Sequence, residues 1–144
     1  MRKVFLDTNI FLRFFVDAKG KQHRDCIRLF ELIEAGKIRG IICSVVILEI
    51  YFILRSFYRF SNKKCEKLLT QMLTASNLQI IDSFDYQRAL ELFTNTGIKF
   101  ADCLIASLKF FEKGGAIISY DKDFDKLGIK RIEPAEIGSI SYNS

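Results

Sequence analysis

Four carboxylates in this chain stand inside or at the end of apolar runs, and that arrangement restricts what the chain can fold into. Asp7 closes Val4-Phe5-Leu6, and Glu49 interrupts the apolar stretch from Val45 to Leu54. Asp102 lies within Phe100-Ala101-Asp102-Cys103-Leu104-Ile105-Ala106, and Asp121 follows Ala116-Ile117-Ile118-Ser119-Tyr120. A carboxylate taken out of water is costly unless it is paired or binds a metal. Four such residues spread along one chain imply a fold that gathers them into a single acidic pocket, where a cation offsets their repulsion. Clustered oxygen ligands suit a hard divalent ion, Mg2+ or Mn2+.

The segments between the acids alternate in period. Val4 to Leu6, Arg39 to Cys43, Leu78 to Ile81 and Ala116 to Ile118 read as short apolar strands, and Lys130 to Ile132 as a short edge strand. Helical spacing runs over Asn9 to Val16, capped by Asp7, Thr8 or Asn9, and over Gln22 to Ala35, which stops at Gly36. Ser44 is placed to cap a helix reaching Phe57 or Tyr58, and Asn62 to cap one reaching Leu73. Phe84 to Phe93 reads as a helix stopping before Gly97. A continuous helix is expected from Phe100 to Glu112, ending at Gly114-Gly115, and a turn of helix from Asp123 to Lys126. Short, wholly apolar strands alternating with helices predict an α/β fold of three layers (α/β/α), with a mainly parallel sheet of four to five strands. No repeat or domain boundary interrupts residues 1–144, which read as one domain. Ligands of such sheets bind beyond the carboxyl ends of the strands. Asp7 and Asp121 stand at such ends, and Glu49 and Asp102 lie in early turns of following helices, so all four can face one rim.

Composition narrows the function classes. The net charge of +5 includes the four acids, so the remaining surface is more basic than the total implies. The first half carries Lys19, Lys21, Arg24, Arg28, Lys37, Arg39, Arg55, Arg59, Lys63, Lys64 and Lys67. A basic surface around an acidic metal pocket suits a polyanionic substrate. The apolar stretch from Ile41 to Leu54 contains Glu49 and is too short for a membrane span. Asp7 and Arg13 break what would be the apolar region of a leader. Cys26, Cys43, Cys65 and Cys103 form no CxxC pair and read as free buried thiols of a reducing cytoplasm. His23 is the only histidine and sits in a polar, exposed setting. That excludes histidine-pair ribonuclease chemistry and an HExxH zinc site. Neither GxGxxG nor a P-loop pattern is present.

Each acid also has a plain structural reading. Asp7 is a good helix cap, with Thr8 and Asn9 as its neighbours or as partners orienting a metal ligand. Glu49 can pair with a distant cation, because Arg55 stands at the wrong helical offset. Asp102 favours a helix N-terminus through the dipole. Asp121, Asp123 and Asp125 make an ordinary solvated turn.

Taken in order, Val4-Phe5-Leu6-Asp7-Thr8-Asn9-Ile10, Ser44 to Ile50 around Glu49, Phe100 to Ala106 around Asp102, and Ser119-Tyr120-Asp121-Lys122-Asp123-Phe124 resemble the motifs of the PIN domain family. Within it, they most resemble the VapC-like toxins of type II toxin–antitoxin pairs. Cys103 stands where an alanine is usual, Lys130-Arg131-Ile132 is similar to the family's closing strand, and the resemblance spans nearly the whole chain. It implies an endoribonuclease using Mg2+ or Mn2+, with Asp7, Glu49, Asp102 and Asp121 as catalytic metal ligands and Thr8, Asn9 and Ser119 in support. Asp121 is preferred to Asp123 as the fourth ligand because it is nearer the strand end. The resemblance further implies an RNA substrate, a cognate antitoxin, a homodimer and a cytoplasmic location. Tyr51, Phe52, Phe57, Tyr58 and Phe60 can line a groove for such a partner, with Tyr58 and Phe60 the more exposed. Rivals are a non-catalytic PIN-like module binding RNA or protein, a stand-alone RNA-processing PIN nuclease, and a phosphotransfer protein. The last fits poorly, because Asn9 stands where a dehalogenase-type site needs a second aspartate.

Overall fold

The computed structural model describes residues 2–16 and 19–137. The chain runs β1 (Arg2–Leu6), α1 (Thr8–Phe15), α2 (Gly20–Glu34), β2 (Ile38–Ile42), α3 (Ser44–Ser56), α4 (Asn62–Leu73) and β3 (Leu78–Ile80). It continues through α5 (Tyr86–Thr96), α6 (Phe100–Ala106), α7 (Lys109–Glu112), β4 (Ala116–Ile118), α8 (Asp123–Lys126) and β5 (Lys130–Ile132). The five strands form one sheet in the order β3-β2-β1-β4-β5, and every neighbouring pair is parallel.

This order follows from two runs of crossovers that leave β1 in opposite directions. Right-handed connections then carry α1 to α4 over one face of the sheet and α5 to α8 over the other. Within the first group α1 touches α2 and α3, and α3 touches α4; within the second α5 touches α6; α3 and α6 join the two. The central strands are covered on both sides, which is why Val4-Phe5-Leu6 and Ala116-Ile117-Ile118 are apolar at consecutive positions and all buried. At the edge, β3 leaves Gln79 and Ile80 exposed. Gly40 of β2 has no room for a side chain, since a Cβ there would collide with Leu78 and Leu6. The direction of strand order reverses between β1 and β4, and the crevice beyond their carboxyl ends is where such a sheet binds ligands.

Several local expectations change. Residues 100–112 are not one helix: the chain breaks after Ala106, where Leu108 takes extended geometry (φ −63, ψ 138) and turns fully into the core. Ser107 stabilises the break, donating from Oγ to the Leu104 carbonyl at 2.7 Å and accepting the Asp85 N–H at 3.2 Å. Helix α3 is not capped by Ser44. Its first residue instead donates both its N–H and its hydroxyl, each at 2.7 Å, to Asp82 beyond the end of β3. Ser61, rather than Asn62, caps α4. His23 is half-buried, with Nδ1 2.7 Å from the Arg13 carbonyl. Among the aromatic residues after Glu49, Phe52 and Phe57 are exposed, whereas Tyr58 and Phe60 are half-buried against the core. Phe60 is drawn in by its N–H bond to the Leu54 carbonyl and by the Lys64 ammonium 3.8 Å above its ring. The four cysteines are free and buried.

Candidate metal centre

Backbone pairing brings the first and last acids together. Asp7 follows the last residue of β1 directly, and its N–H reaches the Ile118 carbonyl of β4 at 3.1 Å. Asp7 is also the cap of α1: Oδ1 accepts the Thr8 N–H at 2.8 Å. Its other oxygen accepts the Ser119 hydroxyl at 2.6 Å. That same hydroxyl accepts the Asp121 N–H at 2.9 Å, and Asp121 Oδ1 in turn accepts the Asp123 N–H at 2.9 Å. Ser119 is fully buried, and Arg131 of β5 holds its carbonyl at 3.0 Å, so the turn after β4 is tied to the sheet on both sides.

The other two acids arrive on helices. Glu49 lies in the second turn of α3 and accepts the Thr8 hydroxyl at 3.1 Å. Asp102 lies in the first turn of α6, is only 2% exposed, and leaves Oδ2 with no hydrogen-bond partner. Carboxylate oxygens of Asp102, Asp121 and Asp123 lie within 4.8 Å of one another. Both candidates for the fourth ligand therefore stand beside Asp102, and the choice between Asp121 and Asp123 is not made by distance. Asn9 is exposed on the first turn of α1, away from these bonds, whereas Thr8 and Ser119 each bind an acid.

The electrostatics are those of a crowded, buried anionic pocket. Burial pushes the Asp7 carboxyl up to about 6, against hydrogen bonds from Ser119 and Thr8, with Glu49 and Asp121 adding to the rise. Burial likewise lifts Asp102 to about 7, opposed by Lys99 and reinforced by Asp7, Glu49 and Asp121. Lys99 is a residue that sequence reasoning missed. Its ammonium is 3.5 Å from Glu49 and 3.8 Å from Asp102. Burial lowers its pKa, but the two carboxylates outweigh that and hold it above the usual value. Its position three residues before Asp102, a helix-neighbour spacing, was the available signal. Oxygen donors alone, one of them buried and unpaired, fit a hard divalent cation.

A rim of carboxylates stands at the reversal point of a parallel sheet in a doubly wound α/β fold. The profile of the PIN domain family matches residues 4–130, and the chain belongs to that family. Its structure is similar to VapBC2 from Rickettsia felis, solved bound to a DNA fragment from their promoter. There the TM-score is 0.67 at 18% identity, covering 91% of this chain and 98% of that one. It is also similar to DNA-bound VapBC from Salmonella typhimurium, with TM-score 0.63, 17% identity, and coverage of 93% and 99%. A third is VapC20 from Mycobacterium tuberculosis, described as a sarcin-ricin loop cleaving toxin, with TM-score 0.59, 15% identity, and coverage of 88% and 95%. No curated protein matches the chain in sequence.

Proposed function

We propose that this protein is a metal-dependent endoribonuclease, the toxin of a type II toxin–antitoxin pair. The observation that carries the reading is Asp102, whose Oδ2 is buried without a partner and whose carboxylate lies beside those of Asp121 and Asp123. A merely structural acid buried this deeply would have both oxygens satisfied. Asp7, Glu49, Asp102 and Asp121 would hold Mg2+ or Mn2+, with Asp123 as a further ligand. When bound, such an ion lowers the pKa of water and neutralises charge building on a phosphate. The chain's own residues do the positioning. Ser119 fixes one oxygen of Asp7 and the backbone of Asp121, while Thr8 fixes Glu49. The exposed cations Lys63, Lys64 and Lys67 on α4, with Arg55 and Arg59 before it, suit the approach of a polyanion.

In-line attack by water leaves a 5′-phosphate and a 3′-hydroxyl. Purified protein incubated with end-labelled structured RNAs should cleave in Mn2+ and not in EDTA, and Asp102→Asn should not cleave. Cyclic phosphate ends would mean attack by the ribose 2′-hydroxyl and would sink the mechanism. The similarity to VapBC complexes supports an antitoxin partner, and a homodimer and a cytoplasmic location belong to the same reading. Leu48 and Phe52 on α3 are exposed by 54% and 59%, and Leu90 and Tyr86 on α5 by 55% and 64%, apolar side chains suited to a protein partner.

A further inference from the structure

We infer that Lys99 is an internal counter-cation of this site, holding Glu49 and Asp102 until a divalent ion displaces it, and so sets how tightly the site takes metal. The inference rests on the metal-site reading above. The backbone at Lys99 is fixed. The residue is the cap of α6, and its carbonyl accepts the Asp102 N–H at 3.1 Å and the Cys103 N–H at 3.2 Å. The preceding Ile98 is buried, and its N–H bonds the Thr96 hydroxyl at 3.2 Å. The side chain is therefore anchored at one end, while 60% of it remains exposed and its ammonium lies between two carboxylates.

The separations of 3.5 and 3.8 Å are long for charge-assisted hydrogen bonds, so the ammonium balances charge without locking either acid. It also leaves Asp102 Oδ2 unserved. A divalent ion brings twice the charge and accepts several oxygens at once, so it replaces the ammonium at both acids. The displaced lysine stays tethered nearby and repels the ion. Competition before binding and repulsion after it act in the same direction: Lys99 weakens metal affinity.

The test is calorimetric titration with Mn2+ of the wild-type protein, Lys99→Met and Lys99→Arg, with melting curves in EDTA to establish that each is folded. Two exposed ion pairs of ordinary strength correspond to about a three- to tenfold tighter dissociation constant for Lys99→Met. Lys99→Arg keeps the charge and should bind as the wild type does. If Lys99 merely ordered Glu49, its removal would weaken binding, and unchanged or weaker affinity in Lys99→Met overturns the inference while leaving the metal site standing. Absence of Mn2+ binding in all three proteins overturns the metal site and this inference together. Binding by Lys99→Met alone would support the inference in its strongest form.

Discussion

Asp102→Asn replaces a buried carboxylate with a neutral side chain of the same shape, and the structure says it should stabilise the metal-free protein. Burial above all lifts the Asp102 carboxyl from 3.8 to about 7. A shift of that size corresponds to about 4 kcal/mol of native-state destabilisation once the group is ionised. The folded pKa lies above the unfolded one, so the native state binds this proton more tightly. Stability therefore falls as pH rises from about 4 to about 7 and stays low above that. The asparagine carries no charge and escapes the cost. Its buried, unpaired amide offsets part of the gain by about 1–3 kcal/mol. The net expectation at pH 8 in EDTA is about 1–3 kcal/mol of added stability, roughly 3–10 °C in melting temperature for a chain of this length. At pH 5 less than half of the ionisation cost remains, so the gap should close. Saturating Mn2+ should reverse the order, because only the wild type gains binding energy in full. Melting curves at the two pH values, with and without metal, test this. A mutant less stable than wild type at pH 8 in EDTA, or a gap that does not narrow at pH 5, would refute the reasoning.

Two further substitutions probe the scaffold. Ser119→Ala removes the donor to Asp7 and the acceptor for the Asp121 N–H. It should cost about 1–3 kcal/mol in denaturant melts and weaken Mn2+ binding about tenfold, and unchanged values for both would show that the hydroxyl does not brace the acids. Asp82→Ala strips the cap from the helix carrying Glu49. The expected loss is about 1 kcal/mol, seen as a lower melting temperature, and a double-mutant cycle with Ser44→Ala should show the two changes to be non-additive.

The parts of the fold legible in the sequence are those set by local pattern. Val4-Phe5-Leu6 and Ala116-Ile117-Ile118 announce central strands, because only a strand covered on both faces is apolar at successive positions, and the acid after each marks the rim. What escaped depends on partners distant in the chain. Lys99 meets Glu49 only because α6 packs beside α3. The Asp82 cap joins the end of β3 to α3, and no spacing announces it. The break at Leu108 is hidden for a related reason: Leu104, Leu108 and Phe111 keep helical spacing, yet burying Leu108 fully is achieved by an extended turn. Tyr58 and Phe60, expected to be exposed, are half-buried because apolar character alone does not say which side of a helix end faces the core.

The topology explains why the pocket tolerates its own repulsion. Asp7 and the Asp121 turn are joined by the backbone, through the Asp7 N–H to Ile118, and by one buried hydroxyl. That half of the site is as rigid as the sheet beneath it, and Arg131 pins its carbonyl from the neighbouring strand. Glu49 and Asp102 come from α3 and α6, which touch each other, and the Thr8 hydroxyl and the Lys99 ammonium reach their carboxylates. The sheet half can keep Asp7 buried because its hydrogen bonds survive without a cation. The helix half has no such bond at Asp102 Oδ2, and a mostly exposed lysine stands as its counter-charge.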